Sequence, residues 1–395
     1  MTKILTLCTL LFGAIEALAQ QTTVPLIVEG NAPIIELSFA TPAGAVRKAR
    51  FVIDTGGGAF LIGSKLMADI GAKATGPVQE AEGERFQTIT PFVPMLGDMN
   101  LDLAGVRVFA LADRVQASSR NNAEGLFPAA LLRKYQVVFD YPAHRFTLAK
   151  PGSLAAKGIK VPSPISPKSG FPRIELQIAG TTYGFLLDTG GSFTMISRVV
   201  LESWAKANPA WPTETGAVGF ANMSGGDMEN HALMLRIPQV SIGPIAVTNA
   251  GAVSREEGTF EKWMSDMMTA PIVGSVAGNV LRDFRVEIDY RNGFTYFDRS
   301  GTTSDAELTS VGLVLAARPD GTLAVTGLSS KSASDVESGV RPGDKLVAVD
   351  DVPLSGKPLA VAADALKGKA GDRKRLTIER AGASITVSVR VAALL

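Results

Sequence analysis

The chain is poor in the residues that build disulfides and metal sites. Its 395 residues include one cysteine, Cys8, and two histidines. Beyond Cys8 the chain therefore has no residue for a disulfide or a thiolate metal site. Two histidines are also fewer than the several His or Cys ligands that zinc sites normally use. We expect no metal site and no organic cofactor.

The chain also lacks an excess of basic or of acidic residues. Lys and Arg number 39 against 38 Asp and Glu, which gives a formal charge of +1. A balanced chain offers no electrostatic reason to bind nucleic acid or an anionic membrane surface. After the N-terminal residues, no stretch approaches the roughly 18 to 20 apolar residues that span a bilayer. We expect no nucleic-acid partner and no membrane span.

Large aromatic residues are few, whereas turn-forming residues are abundant. The chain has 3 Trp, 5 Tyr and 18 Phe, but 40 Gly and 22 Pro. An apolar fraction of 46% with 19% charged residues argues against global disorder. Many turns favour short strands over helical bundles. We predict a mainly β protein whose helices before residue 300 are short, at 64–70, 129–134 and 199–207.

The first nineteen residues have the pattern of a secretory signal peptide. Lys3 precedes the apolar run 4–12, and Ala17-Leu18-Ala19 is an Ala-x-Ala cleavage site. The alternative is a buried N-terminal strand. With 1–19 as a signal peptide we expect an exported protein, either periplasmic or secreted. The lack of disulfides favours a bacterial periplasm over a eukaryotic secretory route.

Residues 22–150 and 158–300 repeat one another. In both, an apolar strand leads into Asp-Thr-Gly-Gly, at 54–57 and at 188–191. Both stretches also end with a short apolar strand and Asp-Tyr. Because the markers keep their order, the pattern indicates a tandem duplication of a β unit, with turns between alternating or short apolar blocks.

The paired Asp-Thr-Gly motifs are the strongest chemical signal in the chain. A single copy can be explained as an aspartate that caps a turn. Two copies at matched positions of a duplicated unit predict that a pseudo-twofold axis brings Asp54 and Asp188 together. Carboxylates roughly 3 Å apart share one proton. One can then take a proton from water while the other polarises a carbonyl, which is acid–base hydrolysis.

On these motifs the chain resembles the pepsin and retropepsin group of aspartic peptidases, and most closely the bacterial exported aspartyl proteases with a C-terminal PDZ domain. The resemblance implies a two-lobed, duplicated acid-protease β fold with lobes at 22–150 and 158–300. It implies a monomeric endopeptidase that cleaves polypeptides with a water activated between Asp54 and Asp188. The residues that it implies for support of the two active-site loops are Thr55, Gly56, Thr189 and Gly190.

The sequence departs from that family at several points. The candidate flaps, 84–93 and 216–229, lack the tyrosine of pepsin-like flaps. A catalytically inactive, protease-like scaffold or peptide-binding protein is therefore the alternative function. The positions that depart from the family's motifs are Gly57 and Gly191, where Ala or Ser is usual, and Pro128 and Ala277, where Gly is usual.

Residues 222–226, Asn-Met-Ser-Gly-Gly, are faintly similar to the nucleophile loop of trypsin-like proteases. That chemistry needs a histidine base oriented by an acid. His144 lies in a predicted turn and His231 lies seven residues from Ser224, and neither segment is of that family's type. A flexible Gly/Ser flap tip is the preferred interpretation.

Residues 308–392 resemble a PDZ domain of α+β type. A short helix ends near Gly339, and Pro342-Gly343-Asp344 turns into the apolar strand 345–349. PDZ domains bind an extended C-terminus as an added strand, with its carboxylate on backbone N–H groups. An alternative is a domain that only packs on the protease region or masks its cleft. By resemblance, the peptide-binding loop is Gly312, Leu313, Val314 and Leu315.

Overall fold

The computed structural model describes residues 21–81, 84–111, 121–223, 225–299 and 309–395. The predicted signal peptide 1–19, Cys8 and Ser224 lie outside the described residues. The chain is mainly β, as the composition predicts. We describe it as a first unit (residues 21–149), a second unit (residues 159–299) and a C-terminal domain (residues 309–395).

Strands dominate the first unit, and its helices are one or two turns long. The strands are β1 (Gln21–Pro25), β2 (Ile27–Glu29), β3 (Ala32–Ala40), β4 (Val46–Asp54), β5 (Phe60–Gly63), β6 (Gln79–Ala81), β7 (Glu84–Thr88), β8 (Met95–Leu96), β9 (Met99–Asn100), β10 (Val108–Leu111), β11 (Gly125–Pro128), β12 (Gln136–Asp140) and β13 (Arg145–Ala149). The helices are α1 (Ser64–Asp69) and α2 (Ala129–Leu132).

The second unit has longer strands and a longer amphipathic helix. Its strands are β14 (Ile159–Pro162), β15 (Arg173–Ile178), β16 (Thr181–Leu187), β17 (Thr194–Ser197), β18 (Thr213–Thr215), β19 (Leu233–Ile242), β20 (Ile245–Arg255), β21 (Gly274–Val276), β22 (Phe284–Asp289) and β23 (Phe294–Arg299). Its helices are α3 (Arg198–Ala207) and α4 (Gly278–Leu281), with a π-helical turn at Thr259–Met264.

The main sheets of the two units repeat one strand order. In the first unit the order β10-β5-β11-β4-β3 includes parallel pairs of β10 with β5 and of β11 with β4. In the second unit the order β20-β17-β21-β16-β15 includes parallel pairs of β20 with β17 and of β21 with β16. The antiparallel pairs β11 with β5 and β21 with β17 also match. The sequence repeat is therefore matched by a repeat of strand connections.

A six-stranded sheet joins the two units. Its order is β1-β13-β12-β22-β23-β14, so three strands of the first unit lie beside three strands of the second, and β12 pairs with β22 where the units meet. At the junction Phe139 of β12 lies opposite Val286 of β22. Beside it, the buried Gln136 donates a 2.6 Å hydrogen bond to Glu287, whose carboxylate also accepts from Arg285 at 2.8 Å. This satisfied buried network fixes how the units meet.

One apolar core runs through both units. Alternate residues of the strands point inward, as the period of two requires, and this core contains nine phenylalanine side chains that are at most 2% exposed. Several of these rings pack at centroid distances of 5.2 to 6.5 Å, for example Phe51 with Phe60 and Phe127 with Phe146. Because this core continues from one unit into the other, the units are held as one body beneath the candidate site.

The C-terminal domain has its own apolar core. Its main sheet has the order β25-β26-β27-β29-β30, which makes β25 an edge strand of that sheet. The strands are β24 (Thr309–Ser310), β25 (Leu313–Ala317), β26 (Leu323–Leu328), β27 (Lys345–Val349), β28 (Val352–Pro353), β29 (Arg373–Arg380), β30 (Ala383–Arg390) and β31 (Ala392–Ala393), with helices α5 (Ser334–Gly339) and α6 (Leu359–Ala365).

The predicted short helices occur with small shifts in their ends. The stretches expected at 64–70, 129–134 and 199–207 are α1, α2 and α3, within two residues at each end. In the described part of the chain, no helix is long and apolar enough to cross a membrane.

Candidate functional site

Each Asp-Thr-Gly lies at the end of a central strand. Asp54 ends β4, where it is opposite Pro128 of the parallel strand β11. Asp188 follows β16, and its backbone N–H donates to the carbonyl of Val276 on β21 at 2.9 Å. In each unit the two parallel strands end at the same level, β4 with β11 and β16 with β21. The loop that carries each Asp-Thr-Gly therefore lies at the junction of the units.

The threonines connect the two loops by reciprocal hydrogen bonds. Thr189 donates its hydroxyl to the carbonyl of Ile53 at 2.8 Å, and Thr55 donates its hydroxyl to the carbonyl of Leu187. Each hydroxyl also accepts the other threonine's backbone N–H, at 2.9 Å and 3.2 Å. Both threonines are fully buried. The loops are thus locked together by four bonds made away from water.

The carboxylates of Asp54 and Asp188 converge. An ideal Cβ placed on Gly56 would lie 3.3 Å from Asp54 Oδ1 and 3.6 Å from Asp188 Oδ1. The N–H of Gly56 donates to Asp54 Oδ1 at 2.7 Å, and the N–H of Gly191 donates to Asp188 Oδ1 at 2.9 Å. Asp188 is 7% exposed, whereas Asp54 is more accessible. Backbone donors therefore orient both carboxylates toward one place.

Packing explains the glycines that follow each motif. A Cβ on Gly57 would lie 2.6 Å from Leu126 Cδ2, and one on Gly191 would lie 2.9 Å from Asp188 Oδ2. The carbonyls of the same residues accept N–H groups from the first turns of the short helices, from Ala129 at 3.0 Å and from Gly278 at 2.9 Å. Gly57 and Gly191 thus occupy equivalent, crowded places, and Pro128 and Ala277 immediately precede the helices that hold them.

Two buried tyrosines lie near the carboxylates. The hydroxyls of Tyr141 and Tyr290 have no hydrogen-bond partner among the described residues. Burial raises the pKa of Tyr141, and the charge of Asp188 raises it further; burial and the charge of Asp54 do the same to the pKa of Tyr290. Each tyrosine of one unit is thus affected by the charge of the aspartate of the other unit, and the relation is the same in both directions.

These tyrosines predict a loss of stability at alkaline pH. Unfolded tyrosines ionise near pH 10, whereas the folded hydroxyls keep their protons, so below pH 10 they add no pH dependence. Above it, the free energy of unfolding falls by about 1.4 kcal/mol per pH unit for each buried tyrosine. Urea unfolding at several alkaline pH values should show a shallower fall for Tyr141→Phe/Tyr290→Phe. An equal fall in both proteins would contradict this account.

The two flap candidates occupy different places in their units, although the strands around them correspond. β7 pairs with β6 and β10, and β19 pairs with β18 and β20. β6 and β7 of the first unit therefore correspond to β18 and β19 of the second. The candidate 84–93 consists of β7 and the chain after it, whereas 216–229 contains two 3₁₀ turns, Gly219–Ala221 and part of Asp227–His231.

The histidines lie in different parts of the fold. His144 lies in the tight turn between β12 and β13 with a φ of 52°, and His231 ends a 3₁₀ turn. In the described ranges, no group of three or more His, Cys, Asp or Glu residues converges to hold a metal ion.

In the C-terminal domain, Gly312 precedes β25 with a φ of 85°. Its carbonyl accepts the N–H of Ser329 at 2.8 Å and the hydroxyl of Ser332 at 3.1 Å. Leu313, Val314 and Leu315 are buried.

A family model for the PDZ domain matches residues 337–380. The C-terminal domain is a PDZ domain. This domain class binds peptides by strand addition or serves in regulation. No curated protein matches the chain.

One edge of the PDZ domain packs on the second unit, which agrees with the packing part of the alternative that the sequence offered, although the sequence did not predict the contacting residues. Asn222 donates its amide Nδ2 to the carbonyl of Leu315 at 2.7 Å. Glu214, which is 2% exposed, accepts hydrogen bonds from Ser329 and Ser330 at 2.6 and 2.9 Å. The residues that bind Asn222 and Glu214 lie about a hundred positions further along the chain. Such distant partners leave no pattern in the neighbouring sequence, which shows only a Gly/Ser-rich stretch around Asn222.

Proposed function

We propose that the chain is an exported, monomeric aspartic endopeptidase with two acid-protease lobes and a regulatory or peptide-binding PDZ domain. The observation that carries the proposal is the convergence of Asp54 and Asp188 on loops locked by Thr55 and Thr189. An accidental pair of turn-capping aspartates would need neither the reciprocal threonine bonds nor a repeated strand order. An extended polypeptide would lie across the junction of the units.

The arrangement suits water activation. In this proposal the two converging carboxylates share a proton, so one is a base and the other an acid at the same pH. The base takes a proton from a water molecule as that water attacks the scissile carbonyl. The protonated partner donates a hydrogen bond to the carbonyl oxygen, and a proton then passes to the leaving amine. Gly56 and Gly191 hold the carboxylates through backbone N–H groups, so little reorganisation is needed.

The test is peptide release from an unfolded protein substrate by the chain from Gln20 onward, between about pH 3 and about pH 8, which covers the usual pKa values of carboxyl groups and neutral pH. Release that disappears in Asp54→Asn supports the proposal. Equal release by the variant and the parent would overturn it, because the hydrolysis would then come from another source.

The second candidate function is a peptide-binding scaffold whose two units do not cleave. The PDZ match at 337–380 favours it, because that domain alone can bind peptides. If the parent chain releases no product at any pH, and if it and Asp54→Asn capture peptides with the same affinity, the chain has this function instead.

A further inference from the structure

A segment of the second unit lies against the PDZ domain over most of its length. We call residues 214–223 and 225–230 the docked segment. Glu214 accepts bonds from Ser329 and Ser330 and also from the N–H of Lys331 at 3.1 Å. The N–H of Ser330 donates to the carbonyl of Thr215 at 3.0 Å. At the other end, the hydroxyl of Thr326 donates to Asn230 at 3.1 Å.

Between these ends the docked segment follows the edge strand β25. Besides the bond from Asn222 to Leu315, a Cβ on Gly225 would lie 3.2 Å from Ala316 Cα, and one on Gly216 would lie 3.2 Å from Val314 Cγ2. The ring of Phe220 lies 4.4 Å from the ammonium group of Lys367, just after α6. The segment thus contacts both β25 and the region of α6, the two elements between which PDZ domains take a peptide strand.

The same segment is tied to the second unit by a buried ion pair. Arg255 donates to Glu229 at 3.3 Å and to the carbonyl of Ala221 at 3.2 Å. Glu229 also accepts the N–H of Met223 at 2.9 Å. Burial lowers the pKa of Arg255, and the charge of Glu229 opposes that shift. A defined conformation is therefore presented to the PDZ domain, rather than a loose loop.

Apolar packing connects this contact to the loop that follows Asp188. Val314 of β25 belongs to one buried cluster with Val218 and Phe193. Phe193 lies five residues after Asp188, and the next residue, Thr194, donates its backbone N–H to Asn279 at 2.8 Å. Removing β25 or the docked segment from the cluster would expose Phe193 and loosen the chain beside Asp188.

We infer that the docked segment is the resident occupant of the PDZ groove, so that a free peptide C-terminus adds to β25 only by displacing it and thereby weakens the support of Asp188. Among its described residues, the docked segment makes one hydrogen bond to the β25 backbone, through the side chain of Asn222, whereas an added strand makes several through its own backbone. Competition is therefore possible. Docking and peptide binding exclude one another, and the coupling is reciprocal. The part that concerns hydrolysis rests on the proposed function.

A reversible cross-link tests the exclusion without any need for activity. A Cβ on Gly225 would lie 3.6 Å from the Cβ of Ala316, a separation that suits a disulfide. The chain from Gln20 onward has no other cysteine. We would prepare Gly225→Cys/Ala316→Cys in the full mature chain with Asp54→Asn. The probe is a pool of fluorescein-labelled octapeptides with a free carboxylate and Val, Ile, Leu or Phe as the last residue.

The oxidised double variant should not bind the probe, and reduction should restore binding. Gly225→Cys alone controls for strain at this left-handed residue. Asn222→Ala should bind the probe about two- to tenfold more tightly than the parent, since it loses one neutral hydrogen bond of docking. Equal binding by oxidised and reduced proteins would overturn the inference, as would absence of binding in every protein, including Asn222→Ala.

With Asp54 restored, the probe should lower peptide hydrolysis by the reduced double variant and leave the oxidised one unaffected. If the probe raises hydrolysis, docking restrains the site rather than supporting it, and that part of the inference is wrong. If no protein hydrolyses peptides while the binding results hold, the proposed function fails and the exclusion stands.

An independent observation concerns a basic cavity at the junction of the units. It has a volume of about 720 Å³ and begins at Gly58, four residues after Asp54. Arg107, Arg133 and Lys168 line it and donate to backbone carbonyls at 3.3, 3.4 and 3.1 Å. Lys134, also in the lining, is paired with Asp102 at 2.8 Å. Within the described ranges, the first three cations have no carboxylate within 4.0 Å.

We propose that this cavity binds an acidic side chain of the polypeptide that lies across the junction. Among the described residues, three cations without a carboxylate partner and a lining without an acid are unusual in a chain of net charge +1. Their side chains are exposed, so each contact with a carboxylate is worth a modest amount, and several together give a measurable preference. The cavity receives residues from both units, which places the acidic side chain beside the carboxylate loops.

Binding of matched peptides to the Asp54→Asn protein tests this site apart from hydrolysis. The probes are decapeptides of one sequence that carry Glu, Gln or Lys in turn at each position. At low salt, Glu at one or two positions should tighten binding about fivefold over Gln, and salt should reduce the gain. Arg133→Gln/Lys168→Gln should abolish the preference, and the exposed Arg291→Gln should keep it. Equal binding of Glu and Gln peptides, or no binding, would overturn the proposal.

Discussion

Asparagine in place of Asp54 or Asp188 lowers peptide hydrolysis by on the order of 1,000-fold, the range of a lost acid–base group. The amide keeps the shape of the carboxylate and can still accept the bond from Gly56 or Gly191. It cannot take a proton from water, and it cannot share one with the remaining aspartate. The loss should therefore be in kcat, with the thermal midpoint little changed.

The matched control for this prediction is Asp298→Asn. Asp298 is exposed on β23, in the sheet shared by the two units. This variant should hydrolyse peptides like the parent. If Asp54→Asn or Asp188→Asn keeps more than about a tenth of the parent rate, acid–base catalysis by that residue is contradicted.

Alanine at Gly190 produces the second large effect. Its Cβ would lie 2.7 Å from Asp54 Oδ1 and 2.8 Å from Asp54 Cβ, so Asp54 has to move. Displacements near 1 Å at a reacting group cost about 100-fold in rate, and overpacking costs about 1 to 3 kcal/mol of stability. We expect a fall in kcat of about 100-fold. Steady-state kinetics measures the fall in kcat, and urea unfolding measures the loss of stability.

Gly368→Ala is the control for Gly190→Ala. Gly368 lies in the PDZ domain, where an added Cβ comes no closer than 3.2 Å to its neighbours. It should leave hydrolysis unchanged. Normal activity of Gly190→Ala would show that the two loops do not approach as described.

Local features of the sequence predicted much of the fold. The apolar runs before Asp54 and Asp188 are β4 and β16, and the short helix predicted at 199–207 is α3. Periodicity and turn residues decide such elements, because they depend on neighbouring residues. The duplicated motifs also predicted which two loops to compare, and those loops lie together.

The remaining features depend on partners far away in the chain. Asn222 is set among Gly and Ser residues typical of a flexible tip, yet Leu315 fixes its position. The sequence shows Gly57 only as a departure from a family motif. In the folded chain, Leu126 fills the space where a Cβ of residue 57 would lie. Neither contact leaves a pattern in the residues around it, so only the folded chain indicates them.

The most direct test of the account is the hydrolysis rate of Asp54→Asn/Asp188→Asn beside the two single variants. If both carboxylates act as one unit, the double variant is no slower than either single variant, because each substitution alone already removes the shared-proton pair. If the two losses multiply, the aspartates act separately, and the paired mechanism proposed for this chain is wrong.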